Sequence, residues 1–162
     1  MSVFWSISHA NIIILEICWM MREKKLHMST KMFVNLPVKD LSRSKEFYVK
    51  LGFTFNPQFT NQNAACMVIS EDNYAMLLVE SFFKTFTKKE IVDAKKNTEA
   101  LIALSAESRQ KVDEILNKAL AAGAKEPRAP QDHEFMYGRA FEDPDGHIWE
   151  IFWMDPKTIN QS

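Results

Sequence analysis

Cysteine and histidine are scarce in this chain of 162 residues, with two of the first and four of the second. Cys18 and Cys66 lie far apart and form neither a C-x-x-C pair nor a zinc spacing. A reduced, cytoplasmic protein is the simplest expectation. Charge of one sign is also lacking. The net charge of −1 gives no electrostatic case for binding nucleic acid or an anionic membrane. Long hydrophobic runs are missing too. The apolar stretch Asn11–Met21 is interrupted by Glu16 and is too short to span a bilayer. No basic segment precedes it, and no small-residue cleavage site follows.

What the chain does have is aromatic and sulfur-bearing bulk: 12 Phe, 4 Trp and 9 Met. These suit an aromatic-lined pocket and equally a core built of adaptable fillers. The length fits one domain with a real core, or two small fused modules. Residues 1–27 differ from the rest, and the charged break Arg22-Glu-Lys-Lys25 closes them off. They read as an upstream extension from a misassigned start, with an interfacial amphipathic anchor as the alternative. Met28 reads as a fresh beginning.

From there the pattern of elements occurs twice. Met32–Val38 reads as a strand, with Pro37 placing it at an edge or near its end. Asp40 can cap a helix running to Leu51, with Gly52 as its stop. Phe53–Thr60, Ala64–Ser70 and Tyr74–Glu80 follow as strands. A polar, Lys-rich connector over 81–97 is expected to be partly helical. Then Thr98–Leu104 is a strand, and Ser108 caps a helix with Val112, Ile115, Leu116, Ala119 and Leu120 on one face. Lys125–Ala129, Phe135–Glu142 and His147–Met154 complete the set. The expected fold is α+β, two tandem βαβββ modules over about 31–80 and 98–155, forming a cupped mixed sheet with the helices outside.

Alternation along each strand then sorts side chains by face. Val34, Leu36 and Val38 suit the first helix, which leaves Phe33, Asn35 and Pro37 facing inward. Matching Val38 with Leu104 turns Glu99, Leu101 and Ala103 inward as well. In the final strand, Glu150 stands among Ile148, Trp149, Ile151, Phe152 and Trp153. A carboxylate there needs a partner, a metal or a proton. The partner would be a buried Arg, or Glu99 through a shared proton. His147 falls on the opposite face from Glu150. His133, in Gln131-Asp-His-Glu134, sits where a loop could cover the cup and touch a substrate. Arg139 could hold an anionic substrate or serve as counter-ion to Glu150, and Asn35 could hydrogen-bond a ligand.

Phe33-Val-Asn-Leu-Pro-Val-Lys-Asp-Leu41, Ser44, Phe47-Tyr48, Leu51-Gly52-Phe53 and Asp143-Pro-Asp-Gly-His-Ile-Trp-Glu150 together resemble the vicinal oxygen chelate superfamily, which includes glyoxalase I, extradiol dioxygenases and bleomycin-binding proteins. The likeness is greatest to bacterial predicted lactoylglutathione lyases, and it covers about Lys31 to Pro156. It implies the two-module fold and a metal site with one ligand near the start of each module and one late in each. The matching positions here are Phe33, a position on the Tyr74–Glu80 strand taken as Leu77, Glu99 and Glu150. Two hydrocarbons stand where two ligands would be. The resemblance therefore carries two expectations. One is a lyase or isomerase acting on a small oxygen-rich substrate through Ni, Zn, Mg or Mn held by Glu99 and Glu150, with Glu150 catalytic. The other is a metal-free small-molecule binding protein of the bleomycin-resistance type. Phe33, Asn35, His133 and Arg139 are the expected substrate contacts, and a homodimer is the expected assembly.

Overall fold

A computed structural model describes residues 30–159. The extension over 1–27 lies outside the described residues. The first module runs β1 (Met32–Val38), α1 (Leu41–Leu51), β2 (Thr54–Asn56), β3 (Ala64–Val68) and β4 (Asn73–Val79). A short helix α2 (Glu80–Phe83) and one 3-10 turn (Lys84–Phe86) begin the connector. The second module runs β5 (Leu101–Ser105), α3 (Arg109–Ala121), β6 (Gln131–His133), β7 (Met136–Glu142) and β8 (Ile148–Met154), and a short α4 (Pro156–Ile159) follows.

Each module is a four-stranded mixed sheet with the same wiring, β1-β4-β3-β2 and β5-β8-β7-β6. The helix-linked first strand pairs parallel to the last, and the remaining pairs are antiparallel. β1 is an edge strand, which is how Pro37 is tolerated without its N–H. Both helices are capped as their sequences require. Asp40 accepts the amide of Arg43 at 3.0 Å, and Ser108 accepts that of Lys111 at 3.1 Å. Gly52 closes α1 at a φ of 103°, a left-handed conformation that costs glycine little.

Three strands differ from expectation. Pro57 converts the second half of Phe53–Thr60 into a single 3-10 turn. Over 125–129 only Lys125 bridges, to Glu142, and the strand itself comes later, at β6. The segment Glu126-Pro-Arg-Ala-Pro130 holds two prolines that cannot donate to a ladder. β5 starts at Leu101, so Glu99 lies just before it rather than within it.

The core fills the space between the helices and one face of each sheet. Leu36, Val38, Ala65, Met67, Ala75 and Leu77 supply the first sheet, and Phe141, Trp149 and Ile151 the second. Phe47, Tyr48 and Leu51 of α1 and Val112, Leu116 and Ala119 of α3 complete it. Tyr48 stands edge-on to Trp149 with centroids 5.6 Å apart, and Phe47 lies 5.9 Å from Phe141, so α1 also packs on the second module. The opposite face of each sheet carries no helix. It presents Phe33, Asn35, Tyr74 and Met76 in the first module, and Leu101, Ala103, Ile148, Glu150 and Phe152 in the second. Leu77 points into the core instead. Since Val38 pairs with Val79 and Leu104 with Ile151, the residue equivalent to Glu150 is Leu78.

Candidate functional site

Two polar clusters lie on the residues singled out by sequence, at opposite ends of the same short segment. The first is the turn Asp143-Pro-Asp-Gly146 that launches β8. Asp143 Oδ1 accepts the backbone amides of Asp145, Gly146 and His147, each at 2.9 Å. Its Oδ2 accepts the hydroxyl of Tyr48 at 2.6 Å. Burial pushes the Asp143 carboxyl above the usual range, against the lowering effects of His147 and Tyr48. Burial first, then the neighbouring Asp143, pushes the Tyr48 phenol well above its ordinary value.

Asp145 ties the turn to the first module. Its Oδ1 accepts the Lys39 amide at 3.1 Å and Arg43 Nη2 at 2.7 Å, and its Oδ2 accepts the Ser44 hydroxyl at 2.7 Å. Gly146 has a φ of 101°, and a Cβ there would stand 2.6 Å from the Lys95 amide nitrogen. The connector therefore rests directly on this turn. His147, only 3% exposed, meets the Pro37 carbonyl through Nε2 at 2.8 Å and the Glu99 carboxyl through Nδ1. Nε2 must be the donor to a carbonyl, so one further proton has to sit between Nδ1 and Glu99. In this cluster both oxygens of Asp143, both of Asp145 and both ring nitrogens of His147 have partners within the chain.

The second cluster lies on the helix-free face of the second sheet. Glu150 Oε1 accepts from Arg128 Nη2 at 2.7 Å, and the side chains keep 26% and 32% of their exposure. Around them lies a hollow of about 200 Å³, lined by Ala103, Arg128, Gln131, Met136, Glu150 and Phe152, with Met154 beside them. Arg128 Nη1 is buried and has no hydrogen-bond partner. Glu150 Oε2 accepts no hydrogen bond from any described residue. Sequence reasoning left Arg128 out, because a strand over 125–129 hid a Pro-bounded segment that instead folds over Glu150.

The other expected contacts are placed as follows. Arg139 pairs in register with Ile151, which puts it on the helix side, away from Glu150. Its guanidinium is bidentate to Glu126, at 2.9 and 2.8 Å, and reaches Asp113 at 2.9 Å. At 13% exposure its guanidinium is taken up by these two acids, and the counter-ion of Glu150 is Arg128 instead. Its hydrogen bonds hold the Glu126 carboxyl below the usual range. His133 is exposed at the end of β6, with its ring 6.1 Å from that of Phe135. Asn35 and Phe33 are exposed on the first sheet's helix-free face. Phe33 stacks on Tyr74 at 4.8 Å, and Asn35 reaches only the Phe33 carbonyl, at 3.5 Å. Neither lines the hollow at Glu150.

The two expected metal ligands are engaged separately, and no complete metal site forms among the described residues. Ala103 pairs with Glu150. Glu99 lies four residues upstream, before β5 begins, and its carboxyl is turned to His147. One ion would need both carboxylates at about 2.0–2.6 Å. Instead each acid is bound to its own partner, His147 or Arg128. Phe33 and Leu78 occupy the remaining two positions. Among the described residues, no three His, Cys, Asp or Glu side chains come together in a way that could hold an ion.

A family model described as bleomycin resistance protein-like N-terminal matches residues 30–70. No curated protein matches the chain. Among solved structures, a hypothetical protein of S. aureus is similar at 28% identity, with a TM-score of 0.66 over 77% of this chain and 94% of that one. A glyoxalase/bleomycin resistance protein/dioxygenase family enzyme of Burkholderia phytofirmans gives 16% identity and a TM-score of 0.64 over 78% and 99%. An antibiotic binding protein of a Streptomyces species gives 18% and 0.57 over 78% and 97%.

Proposed function

Because the chain carries the vicinal oxygen chelate fold, we propose that it binds a small organic molecule on the helix-free face of its second module, without a metal ion. The observation that carries this reading is the Arg128–Glu150 pair. At the position where the superfamily resemblance implies a metal ligand, the carboxylate is already met by a cation that belongs to the chain. The hollow beside it combines that polar pair with Met136, Phe152 and Met154. Binding sites for small organic molecules commonly combine such apolar walls with a few polar groups. One structural neighbour is an antibiotic binding protein. The lactoylglutathione lyase expectation needs Glu99 and Glu150 on one ion, and both acids are committed elsewhere, so no reaction step is assigned to them.

Partner and location belong to the same proposal. Phe33 and Leu101 are exposed on the helix-free faces, where a second copy could cover them. Cys66 is a free buried thiol, in keeping with a reducing cytoplasm. No described helix is long and apolar enough to cross a membrane.

Thermal unfolding with added ligands tests the reading. Aromatic small molecules should raise Tm in a concentration-dependent way. Ni, Zn, Mg and Mn salts should leave it unchanged. Turnover that a chelator abolishes and Glu150→Gln removes would overturn it.

A further inference from the structure

Three charged residues line the hollow: Arg128 and Glu150, paired with each other, and Arg139, paired with Glu126 and Asp113. The Arg139 charge is thus already met within the chain, since its guanidinium is held by Glu126 and Asp113. The site therefore has almost no net charge to offer a ligand. An anion entering it would lose water and face Glu150, and a cation would face Arg128. Either ion would keep a like charge of the pair beside it, which a neutral ligand avoids.

The pair is nonetheless incomplete. Arg128 Nη1–H has no acceptor, although the atom is fully buried. A buried donor without an acceptor is costly, and its hydrogen-bonding capacity stays unused. Glu150 Oε2 is not taken up by any described residue. One buried donor without a partner and one acceptor that no described residue takes up thus sit on a single ion pair beside an apolar wall.

We propose that this site selects uncharged ligands that present a hydrogen-bond acceptor next to a donor, with a carboxamide edge as the minimal form, attached to a flat apolar body. The acceptor takes a guanidinium N–H of Arg128, the donor reaches Glu150 Oε2, and the body lies against Met136, Phe152 and Met154. Nη1–H has no bond to give up, and Nη2 keeps its bond to Glu150 Oε1. The proposal rests on the small-molecule-binding reading above and adds the ligand's class to it.

Benzamide, benzoate and benzylammonium share one ring and differ in charge, so they separate the alternatives. Binding is read from the methyl resonances of Met136 and Met154 in protein carrying 13C-methyl methionine, assigned by Met136→Leu and Met154→Leu. Benzamide is expected to bind wild type at least about tenfold more tightly than either ion, a difference of ~1.4 kcal/mol. Arg128→Met should shift the preference to benzylammonium and Glu150→Gln to benzoate. The double variant, neutral again, should return it to benzamide. If a single variant does not fold, the wild-type ranking and the double variant decide. A charged probe preferred by wild type, or a ranking unmoved by the charge changes, overturns the inference while leaving the binding reading intact. Methyl resonances unmoved by all three probes overturn the binding reading itself.

Discussion

His147 and Glu150 sit three residues apart on one short segment, yet their surroundings differ in completeness. At His147 and the turn before it, both Asp143 oxygens, both Asp145 oxygens and both imidazole nitrogens have partners drawn from both modules. At Glu150 a single hydrogen bond joins two half-exposed ions, leaving a donor and an acceptor over. Saturated polar clusters rigidify a fold, and partly satisfied ones have capacity for something else. A titratable residue beside a pocket is therefore a weak guide by itself. The useful question is how many of its hydrogen-bonding positions the protein has already used.

That contrast predicts the largest effect at the turn. Asp143→Ala removes the acceptor of three buried amides and of the Tyr48 hydroxyl. Orphaned buried donors cost about 1–3 kcal/mol each, and some will recover water, so a loss of about 4 kcal/mol is expected in urea unfolding. The pH dependence sharpens this. Burial raises the folded-state pKa of Asp143 above its ordinary value of 3.8. Its stabilising share is then complete below that value and is lost as pH rises through the raised one. The stability of wild type relative to Asp143→Asn should accordingly fall with rising pH across the acid range and then level off. A margin that grows instead would show that the carboxylate form is the favoured one. Glu126 has the opposite sign. Its pKa is lowered by Arg139, so the penalty of Glu126→Gln should be present at neutral pH and vanish in acid.

Next comes Gly146→Ala. The substitution forces a residue with Cβ into a φ of 101° and against the Lys95 amide. The left-handed conformation alone costs roughly 1–2 kcal/mol. Displacing connector backbone adds to it, so about 3 kcal/mol is expected in the same assay. Gly52→Ala has similar φ but open space around the new methyl, and should cost less. Equal losses at the two glycines would mean that the connector does not press on the turn.

The modules were legible in sequence because their signals are local. Asp40 and Ser108 cap their helices, Gly52 follows α1, and hydrophobic spacing marks the core faces of both helices. Face assignment also carried through wherever alternation was unbroken, as for Val34, Leu36 and Val38, and for Glu150 opposite His147. What sequence could not supply was partnership. Arg128 reaches Glu150 from a Pro-bounded segment with no periodicity, and His147 takes Glu99 away from the sheet face just where the strand has ended. Arg139 was misplaced by the same limit, since its acids Glu126 and Asp113 come from the chain before β6 and from α3. Leu77 was one residue out of register with Glu150, a slip that exchanges faces in any strand.

The smallest effect is expected where the ligand site is proposed. Arg128→Met removes an ion pair whose members both retain contact with solvent, and such pairs contribute about 0–1 kcal/mol. Glu150 can recover water from the hollow once the guanidinium is gone, and the orphaned Nη1 donor disappears with it. The two changes offset, so unfolding by urea should shift by less than about 1 kcal/mol, against several at Asp143. A loss as large as that of Asp143→Ala would mean the pair is buried more tightly than its exposure indicates, and that its spare groups help to hold the fold. A small loss combined with altered probe preference would instead leave the fold and the binding chemistry on separate residues of the same strand.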